Sequence, residues 1–219
     1  MTGRRVVDLA HPVVEGMITY PGIPGPALGS HLSFADSRAI YAPGTEFSIG
    51  TIAMAANTGT YLDTPAHRYD GGDDLSVVPL ARMVDLDGLV VRAHGVPSVG
   101  PEVLDGLDVR GRAVLVDTGH SRHWGTEAYA VDHPSLSTAL AERLVALGAT
   151  LVGIDSLNID ATRGGERPVH SALLAAGIPV VEHLRGLGDL PDAGFRFSAA
   201  PPAVVGMATF TVRAFAVVG

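Results

Sequence analysis

Residues 57–67 read Asn-Thr-Gly-Thr-Tyr-Leu-Asp-Thr-Pro-Ala-His and set a carboxylate, Asp63, four residues before an imidazole, His67. Two more candidates stand far along the chain, His170 in "RPVHSALLAAG" (167–177) and Glu182 in "IPVVEHL" (178–184). A carboxylate beside an imidazole favours the imidazolium and orients the ring, the arrangement that general acid–base chemistry uses. The four residues are expected to gather in one site. Each piece also has a plainer reading when taken alone: a turn with a capping Asp, a surface histidine at a helix start, and a glutamate beside Arg185.

The elements that must position these groups follow from pattern and punctuation. "RVVDLA" (5–10) reads as a strand, and "MITYPGIPGP" (17–26) as irregular because Pro21, Pro24 and Pro26 block continuation. "TEFSIGTIAMAA" (45–56) reads as a strand that leads into the Asp63 loop, and "DLDGLVVRAH" (85–94) and "GRAVLVDTG" (111–119) as buried strands. Leu140, Leu144 and Leu147 recur with helical spacing, Ser135 or Ser137 can cap, and Gly148 can terminate. "TLVGID" (150–155), a short helix over 167–177 with Pro168 in its first turn, and "IPVVEHL" form a β-α-β unit. Its strands should run parallel, with Asp155 and Glu182 near their carboxyl ends, where ligands of open α/β sheets collect. Asp155 reads as a turn-capping carboxylate outside the site. "FRFSAA", "AVVGMA" and "FTVRAFAVV" read as closing strands. The class is mixed α/β, in a single domain over 1–219.

Composition narrows the function. The chain has 219 residues, a net charge of -8 and only 15 Lys plus Arg, scattered, so no basic stripe is available to track phosphates and nucleic acid is not an expected partner. The absence of cysteine rules out disulfides, thiolate nucleophiles and sulfur-bound zinc, leaving His, Asp and Glu to hold any metal. No segment approaches the ~20 apolar residues of a spanning helix, so the expectation is a cytoplasmic protein without a membrane partner.

Four features together resemble the cyclase family that includes bacterial kynurenine formamidase and isatin hydrolase. They are "DLAHPVVEGMITYPGIP" near the start, Gly-Thr-x-x-Asp-x-Pro-x-His at 59–67, "DTGHSRHWGTEAY" followed by "GIDSLNID", and "VHSALLAAGIPVVEHL" with His170 and Glu182. Their order and spacing cover most of the chain. The resemblance implies a swivelling β/β/α fold with a partly open β-barrel, a homodimer or larger homo-oligomer, and a one- or two-metal hydrolytic site. By position, Asp63 matches the metal-bridging carboxylate, His67 the acid–base or outer-sphere histidine, and His170 with Glu182 the ligands of a second metal position. His11, Met17 and Tyr20 match an N-terminal segment that approaches the site.

The chain departs from the family pattern His-x-Gly-Thr-His-x-Asp-x-Pro-x-His at two places, Asn57 and Tyr61. An amide and a neutral phenol are poor replacements for imidazole ligands, so at most one divalent ion, zinc or manganese, is expected, on Asp63, His170 and Glu182, or none. Without a metal, Tyr61 and Asn57 could donate to a developing oxyanion beside His67. Met17, Tyr20 and Trp124 are candidates for binding a small planar substrate. The leading expectation is a hydrolase of a small amide, formamide or lactam. The alternatives are a metal-independent cyclase or lyase of aromatic or natural-product metabolism, and a catalytically silent ligand-binding protein.

Overall fold

A computed structural model describes residues 3–219. Its strands are β1 (Arg5–Asp8), β2 (Ala27–Leu32), β3 (Ile49–Ala53), β4 (Tyr61–Asp63), β5 (Leu86–Arg92), β6 (Ser98–Val99) and β7 (Ala113–Asp117). There follow β8 (Ser135–Leu136), β9 (Leu151–Ile154), β10 (Val180–Glu182), β11 (Ala193–Ser198), β12 (Thr209–Thr211) and β13 (Phe215–Val218). The α-helices are α1 (Phe34–Ser37), α2 (Thr138–Leu147) and α3 (Pro168–Ala175). Nine strands make one sheet in the order β1-β13-β11-β5-β7-β9-β10-β4-β12, curled into a partly open barrel.

The centre of this sheet is parallel, β5-β7-β9-β10, and both flanks are antiparallel. Such central strands are covered on both faces, which is why "LVGI" and "AVLVD" are buried throughout rather than alternating. One face packs Leu62, Leu115, Val181 and Phe197 in a first core. The other packs Val116, Val152, Ile154 and Val180 against Leu140 and Leu144 of α2 and Val169 and Leu173 of α3.

The expected β-α-β unit is present, with β9 and β10 paired in parallel across α3. α2 also has the expected ends: the Ser137 hydroxyl accepts from Leu140 N–H, and Gly148 takes the left-handed conformation that closes the helix. Three sequence-based expectations are corrected. "TEFSIGTIAMAA" contributes only β3, which pairs with β2 in a separate two-stranded ribbon. "AVVGMA" is a turn, not a strand. "FTVRAFAVV" is two strands, because the chain leaves β4 after Thr211 and crosses to the opposite flank, where β13 lies between β1 and β11. Val212 N–H donates to Thr60 O and Leu9 N–H to Ala214 O along this crossing.

Candidate active site

The site is built where β10, β4 and β12 lie side by side. Gly59, at φ +68°, makes the left-handed turn that admits the chain to β4. The period of two then sends Tyr61 and Asp63 to one face and Leu62 to the first core. Asp63 pairs in register with Val180 and Thr209, and Tyr61 with Glu182 and Thr211, so the polar groups share the face over which α3 lies.

α3 begins without a side-chain cap from Arg167. Asp160 supplies it instead: its carboxylate accepts from Val169 N–H at 2.7 Å and His170 N–H at 3.0 Å, and it also holds His170 Nδ1 at 2.7 Å. One side chain thus satisfies two orphan donors of the helix and turns the imidazole so that Nε2 faces the sheet. That atom stands 3.6 Å from Asp63 Oδ2 and 3.6 Å from Glu182 Oε1. Burial depresses the basicity of His170, but the Glu182 charge, the bond to Asp160 and the nearby Asp63 carboxylate prevail and raise it to about 10 in the metal-free site. Burial lifts Glu182 in turn to about 7, against the pull of His170.

His67 lies at the mouth, with 37% of its side chain exposed against 0% for Asp63. Its Nδ1 is 3.0 Å from Thr209 Oγ1, which donates its only proton to Asp63 Oδ1. The hydroxyl must therefore accept from His67, which puts the ring proton on Nδ1 and leaves a lone pair on Nε2. The sequence reading missed both Thr209 and Asp160.

Among the described residues, Asp63, His67 and His170 form the group able to hold a metal ion, with ligand atoms within 4.8 Å of one another. The fit is supported by two buried atoms that have no hydrogen-bond partner, Asp63 Oδ2 and His170 Nε2. Two donors on a tetrahedral ion with bonds of about 2.1 Å stand roughly 3.4 Å apart, close to the spacing found. Glu182, expected as a ligand, differs. Its Oε2 accepts from Tyr61 O–H at 2.6 Å and its Oε1 from Ile159 N–H at 2.6 Å, so both oxygens are already engaged. Tyr61 is buried and its ionisation is pushed well up, by burial first and by Glu182 and Asp63 next, while Asn57 acts in the opposite sense. Its proton goes to Glu182, so it is not the free oxyanion donor expected from the sequence.

Met17 and Trp124 line a cavity of about 500 Å³ with Ile18, Tyr129 and Leu157, while Tyr20 lies outside that lining. His11 stacks on Trp124 at 3.9 Å. A larger groove of about 760 Å³ passes His133, Thr162 and Arg163 behind Asp160, and Asp63, His67 and His170 do not reach it. Asp63, His67 and His170 do not line the smaller cavity either; the buried ring of His183 packs against both Tyr61 and the Trp124–Tyr129 pair of its wall. Asp155 accepts from Thr118 N–H at 2.8 Å and from Thr118 O–H at 2.6 Å, outside the site as expected.

The family model described as "Putative cyclase" matches residues 7–161, and the chain belongs to that family. It is 32% identical over 178 residues to a kynurenine formamidase of Salinibacter ruber, covering 76% of this chain and 78% of the relative. It is 26% identical over 212 residues to the kynurenine formamidase of Sphingopyxis alaskensis, covering 96% of each. In fold it is similar to isatin hydrolase A from Ralstonia solanacearum, with a TM-score of 0.82 at 21% identity over 99% of this chain and 92% of that one.

Proposed function

We propose that the chain hydrolyses the C–N bond of a small aromatic amide, a formamide or lactam, using one divalent ion, zinc or manganese, held by Asp63 and His170 with His67 within reach. The reading is carried by one observation: the ordered chain His67–Thr209–Asp63 ends beside two partnerless buried ligand atoms. The relatives named as kynurenine formamidases act on amides of this class, which supports it further.

An ion held there supplies Lewis-acid polarisation of a carbonyl and makes water more acidic. The protein's own groups do the rest. His67 Nε2 takes a proton from the attacking water and returns it to the departing nitrogen, while Thr209 keeps the ring in the required tautomer. Asp160 fixes His170 through Nδ1. Tyr61 satisfies Glu182 and holds its charge away from the reacting carbonyl. The apolar cavity lined by Met17, Trp124 and Leu157 is the surface proposed to take the aromatic part. A metal-independent cyclase or lyase would need a free Tyr61 hydroxyl, and the bond to Glu182 speaks against it.

The test is hydrolysis of formanilide and oxindole by protein stripped with chelator and resupplied with manganese or zinc. Amide cleavage that returns with the ion is expected. Full activity in the stripped protein, or no cleavage of any amide tried with either ion, would overturn the reading.

We further read the whole chain as one domain, since a single sheet joins strands from Arg5 to Val218, and as a homodimer or larger. The β2–β3 ribbon supports assembly, because Leu28, Ile49 and Ile52 are about half exposed on it. Among the described residues no helix is long and apolar enough to cross a membrane. A cytoplasmic location fits the lack of cysteine.

A further inference from the structure

A third cavity, of about 410 Å³, opens where the end of β1 meets the segments that follow β10 and β12. Asp8, His11, Val13, Arg185, Val212 and Arg213 line it, and Asp63, His67 and His170 do not. Its volume falls in the range of small-molecule pockets. The chemistry described above uses none of its charged groups.

Both guanidiniums are anchored, yet each keeps N–H groups to spare. Arg185 Nε donates to Ala10 O at 2.6 Å, while its Nη2 stands 3.8 Å from Asp8 Oδ2, too far for a hydrogen bond. Arg213 donates from Nε and Nη2 to that same oxygen, at 3.2 and 3.0 Å. Among the described residues, neither Nη group of Arg185 nor Nη1 of Arg213 has an acceptor. Two guanidiniums therefore share one carboxylate. Burial works against the Asp8 charge, but the Ala10 N–H, Arg213 and Arg185 prevail and hold its carboxyl below the ordinary range, so it is ionised. His11 adds no charge, because burial first and the Arg185 charge next hold its imidazole down to about 4. The lining thus carries one positive charge in excess, within a chain of net charge -8. A single excess charge suits a monoanion, and Val13 and Val212 offer apolar wall to the body that carries it.

We propose that this cavity binds a small organic carboxylate, held by the free Nη groups of Arg185 and Arg213 with its apolar part against Val13 and Val212. Guanidinium N–H groups match carboxylate oxygens in spacing and in charge. Asp8 is the positioning residue: it pins Arg213 and cancels one of the two positive charges, so the guanidiniums stay close without their full mutual repulsion. The assignment is independent of the amide-hydrolase reading, in which none of these residues takes part.

Benzoate and benzyl alcohol share a ring and differ in charge, so titration calorimetry of each against the full chain separates an anion site from plain apolar binding. Benzoate should bind about tenfold or more tighter, the effect of charge-assisted hydrogen bonds. Arg213→Gln removes the excess charge and should weaken benzoate by about threefold or more. The Arg213 side chain is 85% exposed, so this change does not threaten the fold. Asp8→Asn keeps an oxygen to accept from Ala10 N–H, leaves two excess charges, and should tighten benzoate by a similar factor. The two changes together restore one excess charge and should return the affinity close to that of the wild type. Should Asp8→Asn fail to fold, Arg213→Gln alone decides. Equal binding of the two probes would overturn the proposal and leave these residues as a solvated ion-pair cluster. A benzoate affinity unmoved by Arg213→Gln would overturn it too, by placing the carboxylate elsewhere on the chain.

Discussion

Tyr61 donates its hydroxyl to Glu182 Oε2 across 2.6 Å, and the two residues are register partners on β4 and β10. This bond gives the buried Glu182 carboxylate the donor that its burial demands. Removing only the hydroxyl, in Tyr61→Phe, should destabilise the fold by about 1–3 kcal/mol, because Glu182 loses a donor while remaining buried. Urea unfolding checks this, and an unchanged midpoint would count against the bond.

His67 and Thr209 should separate chemistry from binding. His67→Ala is expected to lower kcat by about 10²–10⁴, the range for a lost acid–base group, while retaining most of the bound ion. Thr209→Val should lower kcat less, since His67 keeps its imidazole and loses only its orientation. Kinetics paired with elemental analysis distinguish the cases. A His67→Ala protein that is both inactive and metal-free would make His67 a ligand and not the base.

Affinity for the ion should rise with pH. In the metal-free site His170 is protonated up to about 10, burial opposing and Glu182, Asp160 and Asp63 favouring the charge, so an ion must displace that proton. Between pH 6 and 8 the apparent affinity for manganese should increase by about tenfold per unit for one displaced proton. Titration calorimetry in two buffers of different ionisation enthalpy would show the release. Affinity independent of pH would contradict it.

Acid should weaken the fold through His183. Burial, with smaller contributions from His11 and His133, holds this imidazole down to about 3, below the ordinary 6.5. Between those values the unfolded chain binds a proton that the folded chain does not. The contribution is therefore complete above pH 6.5 and falls by about 1.4 kcal/mol for each unit toward pH 3. Unfolding free energies measured from pH 7 to 4 should show a shallower slope in His183→Asn than in the wild type, and equal slopes would exclude His183 as the source.

Much of this arrangement can be read from the residues themselves. Ser137 and Gly148 mark α2 because caps are local chemistry, and the β9-α3-β10 unit is visible because each part carries its own period and punctuation. The grouping of Asp63, His67 and His170 follows once those elements are placed. The break inside "FTVRAFAVV" is not visible, since alternation continues through Val212 and Ala214 while the hydrogen-bond partners change from β4 to β11 and β1. Asp160 and Thr209 were equally hidden. An Asp before a helix and a Thr in a strand are ordinary cap and sheet residues, and only the tertiary fold sets them against His170 and His67.

One ion per chain is expected, on Asp63 and His170, with Tyr61 and Glu182 satisfying each other beside it. The most direct measurement is the stoichiometry of manganese bound by chelator-stripped protein, for the wild type and for His170→Ala. One equivalent per chain in the wild type and none held tightly in His170→Ala is the predicted result. Two equivalents in the wild type, none at all, or one that survives in His170→Ala would contradict the account.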